Sequence, residues 1–232
     1  AAVDVNEIPT ISDFYRDGVL KGTSTNRPFD ARFNTKVSLI RCDIVTLKVD
    51  AIVNAADEDL APNDQVLNER IHKLAGPAFT DECLSLGGCA VGDVTMTRAG
   101  ALPCKRVIHA VRPAYRGGPR RKESQGLLEN CYRRGLESLV ENGLNTIAFP
   151  TLSAGGYGVP TGMAAQLALA TVRKFLEQCD GSGIERVVFC VYTSEDEYAY
   201  QNLIPYVSRF SYQICNQVAL EKASFISPHS FP

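Results

Sequence analysis

The sequence has no excess of basic residues and no long apolar run. Its 24 Lys and Arg side chains face 26 Asp and Glu, which gives a net charge of −2 and a pI of about 6.0. This balance argues against general binding to nucleic acid or to a membrane surface. No apolar run approaches the roughly 20 residues of a membrane helix, and the N-terminus lacks the pattern of a secretory signal. We therefore expect a monomer with neither membrane nor nucleic-acid partners.

The sequence also lacks any cysteine motif with the spacing of a zinc or redox site. None of its eight cysteines forms C-x-x-C, and no Cys/His group has zinc-finger spacing. Several lie in apolar runs, as Cys190 does, where a thiol behaves as a small hydrophobe. We expect reduced thiols, an intracellular compartment and no metal. The cysteines are Cys42, Cys83, Cys89, Cys104, Cys131, Cys179, Cys190 and Cys215.

Strand-like and helical patterns alternate along the chain. At 232 residues the chain suits one α/β domain with additions. We expect a polar, irregular N-terminal extension at 1–36 packed on a domain at 37–209, followed by a C-terminal tail at 210–232. Strands alternating with helices predict a mostly parallel sheet with helices on both faces. The strands are expected near 37–41, 50–54, 93–97, 106–111, 145–149 and 186–192, and the helices near 65–75, 77–86, 123–142, 161–179 and 195–209.

A glycine-rich stretch, residues 150–160, joins an apolar run to a helical pattern. Glycines let backbone N–H groups approach a ligand, and a helix N-terminus adds unpaired donors and a positive dipole end. A phosphate or diphosphate is the expected guest. The stretch matches neither the P-loop nor the G-x-G-x-x-G motif. The alternative interpretation is a tight turn that needs glycine only for its geometry.

A second group of polar residues lies upstream. Asp43 follows a strand and could accept a hydrogen bond from an adenine amine, or it could cap a turn. Asn54 and Asp57 carry donors and acceptors suited to sugar hydroxyls. His72 falls on the apolar face of a helix, where it could be a catalyst or a buried, hydrogen-bonded histidine.

Six short motifs follow one another along residues 37–209. They read C-D-I, D-A-I-V-N-A-A-D, I-H-K-L-A-G-P, L-G-G-C-A-V-G-D-V, V-I-H-A-V-R-P-A-Y and P-T-L-S-A-G-G-Y-G-V-P. This succession resembles a macrodomain of the MacroD type. The resemblance implies a three-layer α/β/α sandwich around a mixed, mostly parallel sheet, with ADP-ribose as ligand and no cofactor or metal. It also implies release of ADP-ribose from acidic protein side chains or from O-acetyl-ADP-ribose.

The resemblance also assigns roles to residues. Asp43 matches the adenine-binding Asp, with the Ile44 backbone beside it, and Tyr157 matches a residue against the distal ribose. Asn54 falls within the second motif, and Leu67 stands where the family has a Val just before its catalytic Asp. The diphosphate loop corresponds to Ser153, Ala154, Gly155, Gly156, Tyr157 and Gly158.

The departures from the family pattern fall on its catalytic side. Asp57 replaces an Asn, Asn68 stands where the family has a catalytic Asp, and residues 61–66 replace a glycine run. An amide cannot serve as a general base. We hypothesise that Asp57 takes over water activation, with His72 and Tyr157 beside it. We favour ester hydrolysis on ADP-ribosylated proteins, and the alternatives are an ADP-ribose reader or a degenerate scaffold.

A basic stretch begins inside the fifth of these motifs, at Arg112, and continues beyond it. One interpretation is a solvated loop, and the other is a basic lip that captures an anionic substrate. The residues are Arg112, Arg116, Arg120, Arg121 and Lys122.

Overall fold

The computed structural model describes residues 2–21, 31–115, 120–152, 158–179 and 183–207. A six-stranded sheet lies at the centre of this part of the chain. The strands are β1 Val3–Asp4, β2 Val37–Arg41, β3 Leu47–Lys48, β4 Ala51–Ala56, β5 Val94–Arg98, β6 Arg106–Val111, β7 Thr146–Phe149 and β8 Arg186–Val191. The helices are α1 Ile11–Arg16, α2 Ala31–Lys36, α3 Val66–Ala75, α4 Pro77–Ser85, α5 Arg121–Glu141, α6 Thr161–Gln178 and α7 Ser194–Val207.

The sheet is mixed and mostly parallel. Its strand order is β2-β8-β7-β4-β6-β5, and only β5 runs antiparallel to its neighbour. A separate parallel pair joins β1 to β3. Because the five parallel strands share one direction, their carboxyl ends and the loops that follow them meet along one edge. Ligands of open α/β sheets bind at that edge.

Helices cover both faces of the sheet. Successive side chains of a strand point to opposite faces, so neighbours such as Ile52 and Val53 enter different cores. Val53 packs with residues of α5, α6 and α7, whereas Ile52 packs with residues of α3 and α4. The α6 surface on the sheet is rich in alanine, with Ala164 and Ala168 fully buried. The three-layer α/β/α arrangement is therefore confirmed.

The described part of the N-terminal extension, residues 2–21 and 31–36, is not irregular. Its described residues include α1 and α2, and Thr10 forms a reciprocal capping box with Asp13 at the start of α1. Ile11 and Phe33 are buried in the core on one face, and Ile8 is buried in the other. The prediction of irregular structure is wrong for α1, where Ile11, Phe14 and Tyr15 share one face and Thr10 and Asp13 provide a local capping signal.

The predicted C-terminal tail at 210–232 lies outside the described residues. Among the helices that the structure describes, none is long and apolar enough to cross a membrane.

Candidate functional site

Two cavities, each of about 460 Å³, lie along the carboxyl edge of the parallel sheet. The first, called the Asp43 cavity, is bounded by the segments after β2, β7 and β8 and by the first turns of α3. The second, called the Asp57 cavity, is bounded by the segments after β4 and β6 and by the start of α5. Because β7 and β4 are neighbours in the sheet, the two cavities follow one another along the edge. Each is large enough for part of a nucleotide.

Asp43 lies in the wall of the Asp43 cavity. It caps the 3₁₀ turn Ile44–Thr46, and its side chain accepts from the Val45 N–H at 3.4 Å. The guanidinium of Arg70, on α3, forms an ion pair with the same carboxylate. The turn-capping interpretation is therefore confirmed. The carboxylate also remains 24% exposed toward the cavity that it lines.

The Asp43 cavity contains two more of the predicted ligand residues. Ile44 and Leu67 both line it, and the exposed ring of Tyr192 stands at its rim. Its surface is mainly apolar, and its charged groups are the Arg70 guanidinium and the carboxylates of Asp43, Glu195 and Asp196. This combination suits a flat heterocyclic base that carries a hydrogen-bonding edge.

Asp57 lies directly after β4 and lines the Asp57 cavity. Its carboxylate accepts from the Asn63 side-chain amide at 2.7 Å and from the Gln65 amide at 3.2 Å. Both donors come from the segment that replaces the family's glycine run. The new side chains at 63 and 65 thus turn toward Asp57 and hold it in place.

The loop from Asp57 to Gln65 is organised around this carboxylate. The Leu60 N–H donates to the Asp57 carbonyl at 3.1 Å, and the Leu60 side chain is buried. Leu60 has φ of 58°, a left-handed conformation that is uncommon for a bulky residue. Such strain persists where surrounding contacts over-determine the backbone. Here the Asp57 contacts and the burial of Leu60 provide that constraint.

Asn68 is buried, with 1% exposure, and both ends of its amide bind the protein. Its Oδ1 accepts from the Asn54 Nδ2 at 2.7 Å, and its Nδ2 donates to the Ala61 carbonyl at 2.9 Å. Asn68 therefore ties the end of β4 to the loop over α3. Asn54 is fully buried below it and lines neither cavity.

His72 lies on α3, on the side that packs against α4. It is 5% exposed and lines neither cavity. Its Nδ1 is 2.9 Å from the Thr80 hydroxyl, and its ring packs edge-on against Phe79. Burial lowers the pKa of His72, which favours the neutral ring. Its Nε2 has no hydrogen-bond partner among the described residues. Of the two interpretations of His72, the structure thus agrees with the buried, hydrogen-bonded histidine.

A buried histidine that the sequence analysis did not identify continues this network. His109, in β6, is fully buried, and burial lowers its pKa to about 3, so the ring is neutral. The Asn54 amide can only donate to its Nδ1, at 3.3 Å, which leaves Nε2 to donate to the Thr97 hydroxyl at 2.9 Å. A polar chain therefore runs from the Ala61 carbonyl through Asn68 and Asn54 to β5. The apolar run of β6 around His109 could have marked this residue as buried, but nothing local identified its partners.

Arg112 is not part of a solvated loop. Its side chain is 6% exposed, lines the Asp57 cavity and donates to the Ala56 carbonyl at 3.3 Å. The solvated-loop interpretation is therefore wrong for Arg112. Arg121 and Lys122 are exposed to solvent, but they lie in the first turn of α5. Arg120 is exposed and also lines the Asp57 cavity, whereas Arg116 lies outside the described residues.

Most of the predicted phosphate loop lies outside the described residues. This holds for Ser153, Ala154, Gly155, Gly156 and Tyr157. At the far end of the loop, Gly158 has φ of 75°, a conformation that favours glycine. The helix α6 then begins at Thr161 without a side-chain cap, and Thr161 lines the Asp43 cavity. An uncapped helix N-terminus at this edge is suited to an anion.

Neither cavity offers a cluster of metal ligands. Within the described ranges, no group of three or more His, Cys, Asp or Glu side chains is placed to hold a metal ion.

Comparisons with known proteins identify the family of this chain. The family described as "Macro domain" matches residues 53–168. A curated relative, ADP-ribose glycohydrolase MACROD1 of Bos taurus, is 37% identical over 204 residues, which cover 88% of this chain. The chain spans 62% of the length of that relative.

Two solved structures share the fold. The crystal structure of the macro domain of ganglioside induced differentiation associated protein 2 superposes with a TM-score of 0.78 at 32% identity, covering 88% of this chain and 95% of that one. A Trypanosoma brucei macrodomain in complex with ADP-ribose superposes with a TM-score of 0.73 at 28% identity, covering 88% and 77% respectively. The family model matches half of the chain, and the first of these structures is 32% identical across 88% of it. The chain therefore belongs to the macro domain family.

Proposed function

We propose that this chain binds ADP-ribose along the carboxyl edge of its sheet. The observation that carries the proposal is the pair of cavities in line along that edge, with the uncapped start of α6 at the Asp43 cavity. A related macrodomain has been solved in complex with ADP-ribose, which supports the same ligand here.

The adenine is assigned to the Asp43 cavity. The Asp43 carboxylate accepts from the exocyclic amine, and the apolar wall that includes Ile44 and Leu67 packs against the ring. The diphosphate is assigned to the N-terminus of α6, where the dipole and unpaired N–H groups favour negative charge. The distal ribose then falls in the Asp57 cavity, beside the Arg112 guanidinium.

The binding proposal is tested by calorimetric titration of the chain with ADP-ribose. We expect micromolar affinity for the unmodified chain and loss of binding in Asp43→Ala. The matched control is Asp81→Ala, since Asp81 is exposed on α4, away from both cavities. Equal affinity in Asp43→Ala and Asp81→Ala would refute the assignment of adenine to the Asp43 cavity.

A second candidate function is slow hydrolysis of ADP-ribosyl esters. It is favoured by the carboxylate that Asp57 places in the cavity assigned to the distal ribose, and by curated relatives that are named ADP-ribose glycohydrolases. Asp57 takes the proton of a water that attacks the anomeric carbon, and the bond between that carbon and the ester oxygen breaks. The acceptor leaves as a carboxylate, and ADP-ribose leaves with the water oxygen.

The loop around Asp57 opposes this chemistry. Asn63 and Gln65 already donate to the carboxylate, so a water must displace one of them before Asp57 can accept its proton. Asn68 takes no part in this step, because both ends of its amide are used by Asn54 and Ala61. Recognition of ADP-ribose with weak turnover is therefore the function that the geometry supports best.

Turnover is measured on a protein mono-ADP-ribosylated at glutamate. Asp57→Asn should slow release about 100-fold or more, the usual contribution of a general base. Asn63→Ala should accelerate it, because the variant removes a donor that competes with water for the carboxylate. If the unmodified chain binds ADP-ribose but releases none, hydrolysis is excluded and the chain acts as a reader.

A further inference from the structure

Two thiols meet in the wall of the Asp43 cavity. Cys190 lies in β8 and pairs in register with Ile40 of β2, and Cys42 follows two residues further along the same face. The two sulfur atoms are 3.5 Å apart, and the Cys190 thiol also lies 3.4 Å from the Cys42 carbonyl. Both cysteines line the cavity beside Asp43.

The two thiols differ in exposure and in acidity. Cys190 is buried, with 4% exposure, whereas Cys42 is half-buried and reachable from the cavity. The hydrogen bond from Cys190 lowers the pKa of Cys42. The same contact, together with burial, raises the pKa of Cys190. Cys42 is thus the sulfur that ionises first and that a small solute can reach.

We propose that Cys42 and Cys190 form an oxidisable dithiol site, which a peroxide converts to an intrachain disulfide. In the first step the Cys42 thiolate attacks one peroxide oxygen, the O–O bond breaks, and a sulfenic acid forms as hydroxide leaves. In the second step the Cys190 sulfur attacks the Cys42 sulfur, the S–O bond breaks, and hydroxide leaves again. The protons of the two thiols convert both hydroxides to water, so two thiols and one peroxide give one disulfide and two waters.

Four other cysteines, which lie outside the Asp43 cavity, are less suited to the same chemistry. Burial raises the pKa of Cys83 and of Cys104 to about 11 and that of Cys131 to about 12. Thiols held protonated in apolar surroundings react slowly with oxidants. The half-buried Cys89 also has a raised pKa, caused mainly by burial.

Closure of the disulfide displaces the segment that carries Asp43. A disulfide bond is about 2.05 Å long, so the sulfurs must approach by about 1.5 Å. Cys190 is held within the sheet between β2 and β7, whereas Cys42 lies in a bend beyond the end of β2. The movement therefore falls on Cys42 and on Asp43, the next residue. If adenine binds as proposed above, oxidation weakens ADP-ribose binding, and this consequence alone rests on the proposed function.

The disulfide is tested by treating the reduced chain with hydrogen peroxide and mapping its peptides without reduction. We expect a peptide pair that joins Cys42 to Cys190 and is two hydrogens lighter than the sum of the two peptides. In Cys190→Ser, the Cys42 sulfenic acid should persist and be trapped by dimedone. Cys89→Ser serves as the matched control and should leave the linked pair unchanged. Absence of the linked pair, or dimedone labelling of Cys42 that is equal with and without Cys190, would overturn the proposal.

The effect on the ligand is a separate measurement. ADP-ribose affinity should fall about tenfold on oxidation and return with a thiol reductant, a coupling of ordinary size. The affinity of Cys190→Ser should not respond to peroxide in this way. Equal affinity of the oxidised and reduced chains would refute the displacement of Asp43. Failure of the reduced chain to bind ADP-ribose would instead refute the proposed function, and the peptide map would still decide whether the disulfide forms.

Discussion

Replacing Asn68 by the aspartate of the family pattern should destabilise this protein. The amide of Asn68 accepts from Asn54 and donates to the Ala61 carbonyl, 2.9 Å away, at a position with 1% exposure. In Asn68→Asp one carboxylate oxygen keeps the bond from Asn54. The other oxygen faces the Ala61 carbonyl with no proton between them, so a buried acceptor is left unsatisfied, which costs about 1–3 kcal/mol. Burial of the charge adds several kcal/mol more.

The total is limited because the new carboxyl group can take up a proton. Once protonated, it would donate to the Ala61 carbonyl and restore the bond, so the cost at pH 7 cannot much exceed that of protonation. For an ordinary aspartate pKa of about 3.9, this cost is about 4 kcal/mol at pH 7 and about 1.5 kcal/mol at pH 5. We therefore expect Asn68→Asp to lose about 2–4 kcal/mol of unfolding free energy at pH 7. The loss should shrink as the pH falls, because the folded state raises the pKa of the new carboxyl.

The assay is urea unfolding of the variant and the unmodified chain at pH 7 and pH 5. The difference between their unfolding free energies is compared at the two pH values. Asn142→Asp is the matched control: Asn142 also donates to a backbone carbonyl, that of Ser138 at 2.8 Å, but it is exposed at the end of α5. A charge at that surface position should cost about 1 kcal/mol or less, with no change between the two pH values. An Asn68→Asp variant as stable as the unmodified chain at pH 7 would refute the structural role of Asn68.

Three other variants, two of them with a matched control variant, probe the fold and the Asp43 cavity. Gly100→Ala should cost about 3 kcal/mol in urea unfolding, because φ is 58° and the new Cβ would lie 2.2 Å from the carbonyl oxygen at the end of α3. Gly143→Ala, with φ of 64° and no atom within 4 Å of the new Cβ, should cost about 1 kcal/mol; equal losses would contradict the close approach. The pKa of His109 is lower in the folded protein, about 3, than its ordinary value of 6.5, so the unfolded chain binds the proton first. Stability should therefore fall as the pH drops below about 6.5, by on the order of 2 kcal/mol at pH 5, and His109→Gln should remove that part of the slope. Arg70→Ala should change the unfolding free energy by less than about 1 kcal/mol but weaken ADP-ribose binding several-fold in calorimetry, because it frees the carboxylate that Arg70 positions. Arg98→Ala, which breaks a comparable surface ion pair, should leave that affinity unchanged.

Local patterns predicted the helices and strands of the sheet domain well. The periodicity of α5 and α6 and the apolar runs of β6 and β8 are properties of short segments, so they can be read without knowing the partners. The turn cap at Asp43 is equally local, because its donor is only two residues away. The start of α1 also has a local signal, the capping box of Thr10 and Asp13. The burial of Ile11 and Phe33 could not be read in this way, since it depends on contacts with distant strands and helices.

The sequence by itself determined the fold class and the order of the elements, because these follow from segment periodicity and chain direction. It also predicted the edge of the sheet at which we propose that the ligand binds. It also identified Asp57 and Asn68 as the positions that depart from the family. Only the tertiary structure decided what these side chains do. The Asn68 amide is hydrogen-bonded to Asn54 and Ala61, and the Asp57 carboxylate accepts from Asn63 and Gln65. The Cys42 thiol contacts the thiol of Cys190, which is 148 residues away. Hydrogen-bond partners depend on distances of about 3 Å between atoms, and for groups far apart in the chain the fold alone sets those distances.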